Sequence, residues 1–236
     1  MKATIWAWAA SVMAAVSTAG CGAPAASAPT DEPGRLPEVI RSVAAPRPSA
    51  APGPVVRTVT AEDLGATWRP GCPVAPEALR RVELNYVDPD GALRRGALVV
   101  HLDVVEDVVE IFGRLAEQRY PIEKMQTVEN YRGAEDELSM RDNNTSAFNC
   151  RPLPGSHKWS LHAYGRAIDL NPLVNPYIDG AGNLEPATAG RYLDRTLADP
   201  ALLKPGDPAV LAFTDRGWRW GGAWRNPIDY QHFEVG

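Results

Sequence analysis

Two short segments carry residues that could hold a metal ion and use it. Residues 160–169 read SLHAYGRAID, and residues 229–234 read DYQHFE. The imidazoles of His162 and His232 and the carboxylate of Asp169 are all ligand types that suit zinc. Three protein ligands with an open fourth position are typical of catalytic zinc, whereas structural zinc sites are closed by four ligands. The pattern therefore indicates a zinc hydrolase.

The elements around these residues must bring distant side chains to one point. His162 and Asp169 are seven positions apart, so we expect a loop at His162 to lead into a strand that carries Asp169. Gly165 permits a tight backbone in that loop. Ser160 is placed for a supporting hydrogen bond, of the kind that orients metal ligands.

Asp229 offers a second carboxylate close to a ligand. It precedes the predicted final strand, 230–235, and lies three positions before His232. In an ideal strand these two positions point to opposite faces, so a turn at 226–228 has to direct the Asp229 carboxylate toward the metal. There it could act as a general base on water. The alternative role for Asp229 is a turn residue that caps the strand.

The two segments together resemble a known family. The pattern S-x-H-x-x-G-x-A-x-D followed by D-x-x-H is similar to the zinc D-alanyl-D-alanine carboxypeptidases, the VanY-type cell-wall peptidases that include L-alanyl-D-glutamate endopeptidases. The resemblance extends over about residues 120–236. It implies that His162, Asp169 and His232 hold zinc and that Asp229 is the general base.

The resemblance also implies a substrate and a further catalytic group. The expected activity is hydrolysis of peptidoglycan stem peptides by metal-activated water, and the bond that is cut stays open between D,D-carboxypeptidase, L,D-carboxypeptidase and L-Ala-D-Glu endopeptidase action. The family uses an arginine to stabilise the oxyanion. Arg132 follows Tyr131 as in the Tyr-Arg pair of the family, and Arg151 ends a segment, 143–151, that resembles one subgroup. We favour Arg151, and the alternative for either arginine is a surface cation.

A second class of function stays open beside the peptidase. A non-catalytic, zinc-containing module could bind peptidoglycan or a protein without hydrolysis. The presence of Asp229 argues against that alternative, because a module that only docks has no need of a base.

Length, composition and charge limit the architecture. The chain has 236 residues, of which 44% are hydrophobic, and this is enough for one domain with a core. The net charge of −5 and the lack of a basic run argue against nucleic acid as a partner. A hairpin at 84–101 and helices at 103–119 and 208–216 predict an α+β fold, with a small, mainly antiparallel sheet, flanking helices and the zinc site on the sheet. We expect a monomer.

The N-terminus predicts export. Residues 1–21 have a basic start, an apolar stretch and small residues before Cys21, which resembles the lipobox of bacterial lipoproteins. A lipid on Cys21 would anchor the protein to the outer face of the cytoplasmic membrane without a spanning segment. The alternative is simple secretion. Residues 22–58 are rich in Ala and Pro and predict a disordered linker, and 59–236 the peptidase domain.

The cysteines are consistent with export. The sequence has three, and an even pair remains if Cys21 carries lipid. In an oxidising compartment Cys72 and Cys150 are expected to form a disulfide, which would stabilise the fold by about 3–5 kcal/mol. The alternative is two free, buried thiols.

Overall fold

The computed structural model describes residues 52–153 and 155–236. The predicted signal peptide, Cys21 and nearly all of the predicted linker lie outside these residues. Export, lipid attachment and localisation therefore stay predictions. Within the described part of the chain, no helix combines the length and apolar character that crossing a bilayer requires.

Helices and short strands combine in the predicted α+β fold, which the structure confirms. The helices are α1 (Ala61–Leu64), α2 (Val105–Glu117), α3 (Asp136–Arg141) and α4 (Pro208–Thr214). The strands are β1 (Val55–Thr58), β2 (Leu79–Val87), β3 (Leu93–His101), β4 (Lys124–Met125), β5 (Asn144–Thr145), β6 (Ala167–Asp169), β7 (Tyr177–Ile178), β8 (Leu184–Glu185), β9 (Arg219–Trp220), β10 (Ile228–Asp229) and β11 (His232–Glu234). Three small antiparallel sheets, with orders β1-β2-β3, β10-β7-β8 and β6-β11-β9, replace the single predicted sheet, and β4 and β5 form a parallel pair.

The hairpin of β2 and β3 provides the platform for α2. Its turn begins at Asp88, whose carboxylate accepts the backbone N–H of Ala92 at 2.8 Å, and Gly91 takes a φ of +80°. Every fourth or third residue of α2 is apolar and buried. This apolar face packs over β2, so the first half of the domain forms one layer of helix on one sheet.

The second half of the domain joins the same core through aromatic rings. Phe213 of α4 stacks on Phe233 of β11, with ring centroids 3.9 Å apart. Phe112 of α2 meets Phe213 edge-on at 6.4 Å. Because Phe233 is fully buried and adjacent to His232, this packing holds in place the strand that carries one of the predicted ligands.

The ordered fold starts before the predicted boundary at residue 59. The predicted linker, 22–58, includes Val55–Thr58, which instead pairs with β2 as an edge strand. Three of the four residues of β1 are exposed, so hydrophobic alternation gives no signal. Backbone pairing holds this strand, and the Asn85 side-chain amide also donates to the Pro52 carbonyl at 2.7 Å.

The segment 143–151, which leads to Arg151, is a strand only near its start. The strand β5 ends at Thr145, and the following residues are buried and bonded singly to different elements. The N–H of Phe148 donates to the Val99 carbonyl at 3.0 Å, and the N–H of Cys150 donates to the Thr67 carbonyl at 2.9 Å. These bonds reach two separate elements, so no regular ladder forms.

Cys72 and Cys150 form a disulfide that spans 78 positions of the chain. Cys150 is 2% exposed and packs with Phe148 and Leu79. The bond therefore ties the loop before β2 to the segment that leads into Arg151.

We expect loss of this disulfide to lower the free energy of unfolding by about 2–5 kcal/mol, because the unfolded chain regains the freedom of a long loop. Urea unfolding of a Cys72→Ser, Cys150→Ser double variant, compared with the oxidised protein, measures the difference. The double variant should be insensitive to reductant. Equal unfolding midpoints for the oxidised and reduced wild-type protein would contradict the prediction.

Candidate active site

The three predicted ligands lie together where β6 and β11 pair. His232 stands directly opposite Asp169 in the antiparallel register. The Nε2 of His162 is 3.1 Å from one Asp169 oxygen and 3.2 Å from the Nδ1 of His232. The same His232 nitrogen is 3.0 Å from the other Asp169 oxygen. All three side chains are buried, and one ligand atom from each lies within 4.8 Å of the others.

His162 lies on a single turn of 3-10 helix, Leu161–Tyr164, rather than in the predicted loop. Ser160 caps this turn through its Oγ, which accepts the backbone N–H of His162 at 3.3 Å. Gly165 ends it with a φ of +67°, and a Cβ there would lie 2.6 Å from the backbone nitrogen of His101. Glycine is therefore required by both conformation and space. Ser160 supports the backbone that carries the imidazole, not the imidazole itself.

The second nitrogen of each imidazole has its own partner. The Nδ1 of His162 is 2.5 Å from the Ala147 carbonyl oxygen, which can only accept, so Nδ1 carries the proton and Nε2 presents its lone pair. The Nε2 of His232 is 3.2 Å from the Glu234 carboxylate, which leaves Nδ1 of that ring to face the site. Two lone pairs and a carboxylate thus point at each other, an arrangement that requires a positive charge between them.

The electrostatics of the site agree with that requirement. Burial opposes the ionised form of Asp169, but the two imidazoles hold its pKa well below the usual range. Burial likewise opposes a charged His232, yet the hydrogen bonds to Asp169 and Glu234 raise the pKa of His232 to about 10. A proton on His232 and a bound cation are therefore alternative ways to supply the same positive charge.

The donor set fits zinc. Two imidazole nitrogens and one carboxylate oxygen are ligands found in catalytic zinc sites. Ligands bound at 2.0–2.1 Å in a tetrahedral arrangement lie about 3.3 Å apart. The two imidazole nitrogens of His162 and His232 lie 3.2 Å apart, and each lies 3.0–3.1 Å from a different oxygen of Asp169. These three residues would hold the ion, and all three line a cleft from which a substrate could approach.

Asp229 lines the same cleft. The chain bends before it at 225–227, close to the predicted turn, and strand pairing then places Asp229 of β10 opposite Tyr177 of β7. Its Oδ1 is buried and has no hydrogen-bond partner among the residues that the structure describes. Burial raises the pKa of the Asp229 carboxyl to about 7, and the nearby Asp169 carboxylate adds to the rise. Asp229 therefore offers a free oxygen that can bind and release a proton near neutral pH.

The two candidate arginines lie in different places. Arg151 lines the cleft, and its guanidinium pairs with an Asp136 oxygen at 2.5 Å. Its Nε is buried without a partner in the described part of the chain. Burial opposes its charge, but surrounding carboxylates, above all Asp136, raise the pKa of Arg151 and keep it protonated. Arg132 is exposed and does not line the cleft.

Three features of the site were not recognised from the sequence. The role of Glu234 had a signal, because it lies two positions after His232 and therefore on the same face of the strand. The contact between His162 and the Ala147 carbonyl had none, because a backbone oxygen carries no sequence identity. Gln231, between Asp229 and His232, also lines the cleft.

Replacing Glu234 by alanine is expected to weaken zinc affinity about 10- to 100-fold, because the His232 ring loses the group that orients it and sets its tautomer. Competition with a chromophoric chelator measures the dissociation constant. The matched control is Arg219→Ala, which removes the exposed outer partner of Glu234, 2.5 Å away, and should change the affinity little. Equal affinities for Glu234→Ala and the wild type would contradict this role.

One comparison with known proteins found a match. The family model described as D-alanyl-D-alanine carboxypeptidase matches residues 154–235. The matched segment contains the three ligands and Asp229, but it begins later than residue 120, where we placed the start of the resemblance, and it excludes Arg151. No curated protein and no solved structure matches the sequence. Residues 154–235 are therefore similar to the D-alanyl-D-alanine carboxypeptidases, and this match supports a peptidase of that type.

Proposed function

We propose that this protein is a zinc-dependent peptidase that hydrolyses the stem peptides of peptidoglycan. The observation that carries the proposal is the convergence of His162, Asp169 and His232 in one cleft with Asp229, an acid that keeps a free oxygen. The family match supports the substrate class, since D-alanyl-D-alanine ends such stem peptides. We also propose that the protein is exported and anchored through Cys21, which would bring it to the cell wall.

Each residue of the site has a separate role in hydrolysis. His162, Asp169 and His232 would hold zinc, which would supply Lewis acidity toward water and the scissile carbonyl. Ala147 and Glu234 hold the rings of His162 and His232 so that the other nitrogen of each ring faces the point where the ion would bind. The Oδ1 of Asp229 takes a proton from the attacking water and passes it to the leaving amine, and a pKa near 7 suits both transfers.

Arg151 stabilises the negative charge that develops on the carbonyl oxygen. Its buried Nε has a donor to spare, and Asp136 holds the guanidinium in position before the reaction begins. Because the positive charge of the guanidinium is already in position, the site need not reorganise during the reaction. Trp224, whose ring centroid is 5.6 Å from that of His232, provides an apolar wall beside these groups.

Digestion of purified muropeptides followed by mass spectrometry tests the proposed function. We expect cleavage that stops with a chelator and returns with zinc, and the product masses will distinguish loss of a terminal D-alanine from cleavage within the stem. Circular dichroism of the chelated protein is the control for folding. A folded, zinc-loaded protein that leaves every muropeptide intact would contradict the proposal.

A further inference from the structure

Gln231 is a buried polar side chain of the cleft that the mechanism above does not use. It lies between Asp229 and His232, is 3% exposed and lines the cleft. Its Oε1 has no hydrogen-bond partner among the described residues. Its Nε2 is 3.5 Å from the sulfur of Met140, which is a weak acceptor. A buried amide in this state is costly unless a ligand completes its hydrogen bonds.

The contact with Met140 determines which end of the amide is free. A thioether sulfur can accept a hydrogen bond but cannot donate one. The NH2 group therefore faces Met140, and the carbonyl oxygen of Gln231 is the end without a partner. Only a group that donates a hydrogen bond can satisfy that oxygen.

Other residues that line the cleft also favour a ligand that donates hydrogen bonds. Asp136 and Met140 are one helical turn apart on α3 and so share a face. Glu185 also lines the cleft, and its side chain forms no ion pair or hydrogen bond among the described residues. Arg151 is the one Lys or Arg that the described part of the chain contributes to the lining, and Asp136 already pairs with it. Carboxylates therefore outnumber Lys and Arg side chains in this lining, which favours a ligand that brings N–H groups.

We propose that Gln231 is a substrate-binding residue whose Oε1 accepts a hydrogen bond from an N–H group of the peptide beside the scissile bond. This inference rests on the proposed function. The donor has two possible sources on a peptide: the backbone N–H of the bond adjacent to the scissile one, or a primary ammonium on a neighbouring side chain.

Three synthetic peptides distinguish these sources. One is the parent peptide, one has an ester in place of the adjacent peptide bond and so lacks its N–H, and one has a methyl group in place of the side-chain ammonium. For the wild type, kcat/KM should fall about tenfold for the peptide that lacks the donor. For Gln231→Met, which has similar volume without the oxygen, kcat/KM for the parent should fall by a similar factor, and the discrimination should disappear.

The matched control is Gln118→Met, the same substitution at an exposed position next to α2 and outside the cleft. It should keep both the parent rate and the discrimination. Gln231→Asn, which draws the oxygen back by one methylene, should lose the discrimination and covers the case in which Gln231→Met does not fold. Zinc content is measured for each variant.

The outcomes distinguish failure of the role of Gln231 from failure of the proposed peptidase function. If the wild type cleaves all three peptides equally, or if Gln231→Met and Gln231→Asn still discriminate, the role of Gln231 is overturned while the peptidase function stands. If the zinc-loaded wild type cleaves no peptide, the proposed function is overturned and the role of Gln231 falls with it.

Discussion

Asp229→Asn is expected to lower kcat by roughly 10²–10⁴-fold while the protein still binds one zinc ion. The substitution keeps the shape of the side chain but removes the ability to take up a proton. The free, buried Oδ1 and the raised pKa of Asp229 allow it to act as a base, whereas the oxygen of an amide cannot take up a proton near neutral pH. Steady-state turnover of a stem peptide, with zinc content determined on the same preparation, measures the effect.

The combination of lost turnover and retained metal is the decisive part of this prediction. If Asp229 were a metal ligand, zinc would be lost as well, and if it only capped a strand, turnover would survive. Asp90→Asn, an exposed carboxylate in the hairpin turn, is the matched control and should leave kcat unchanged. Wild-type turnover in Asp229→Asn would exclude its role as general base, and with it the proposed mechanism.

Arg151→Ala is expected to lower kcat by about 10²–10³-fold, with a smaller change in KM. The guanidinium meets negative charge that exists fully only in the transition state, so its loss affects turnover more than substrate binding. Arg132→Ala is the matched control, because Arg132 is exposed and lies outside the cleft, and it should retain wild-type kinetics. Turnover of the two variants on one stem peptide compares them directly.

Removal of Arg151 also leaves Asp136 without its partner, so a stability control is required. The free energy of unfolding of Arg151→Ala should be compared with that of Asp136→Ala, which breaks the same ion pair from the other side. If Asp136→Ala reduces kcat as severely as Arg151→Ala, the effect belongs to the ion pair. Unchanged turnover in Arg151→Ala would remove this arginine from the mechanism.

The three residues of the candidate metal site could be predicted from the sequence because chemistry restricts which residue types can bind a metal. Few residue types bind zinc, and His162 and Asp169 stand in a short pattern with a glycine whose positive φ only that residue type adopts readily. The hairpin could be predicted for a similar reason, since the turn at Asp88 depends on neighbouring residues. Both the ligand pattern and the hairpin turn depend on the spacing of neighbouring residues, so they can be predicted without knowledge of the packing.

Contacts between distant parts of the chain could not be predicted from local residue spacing. The sequence left Arg151 and Arg132 as near equals, and the fold separates them because one segment is buried beside β6 and the other lies on an exposed turn. The free oxygen of Gln231 depends on Met140, which is 91 positions away. Side chains so far apart meet only through the packing of the core, so their distances, burial and unpaired atoms arise in three dimensions and leave no pattern in the order of residues.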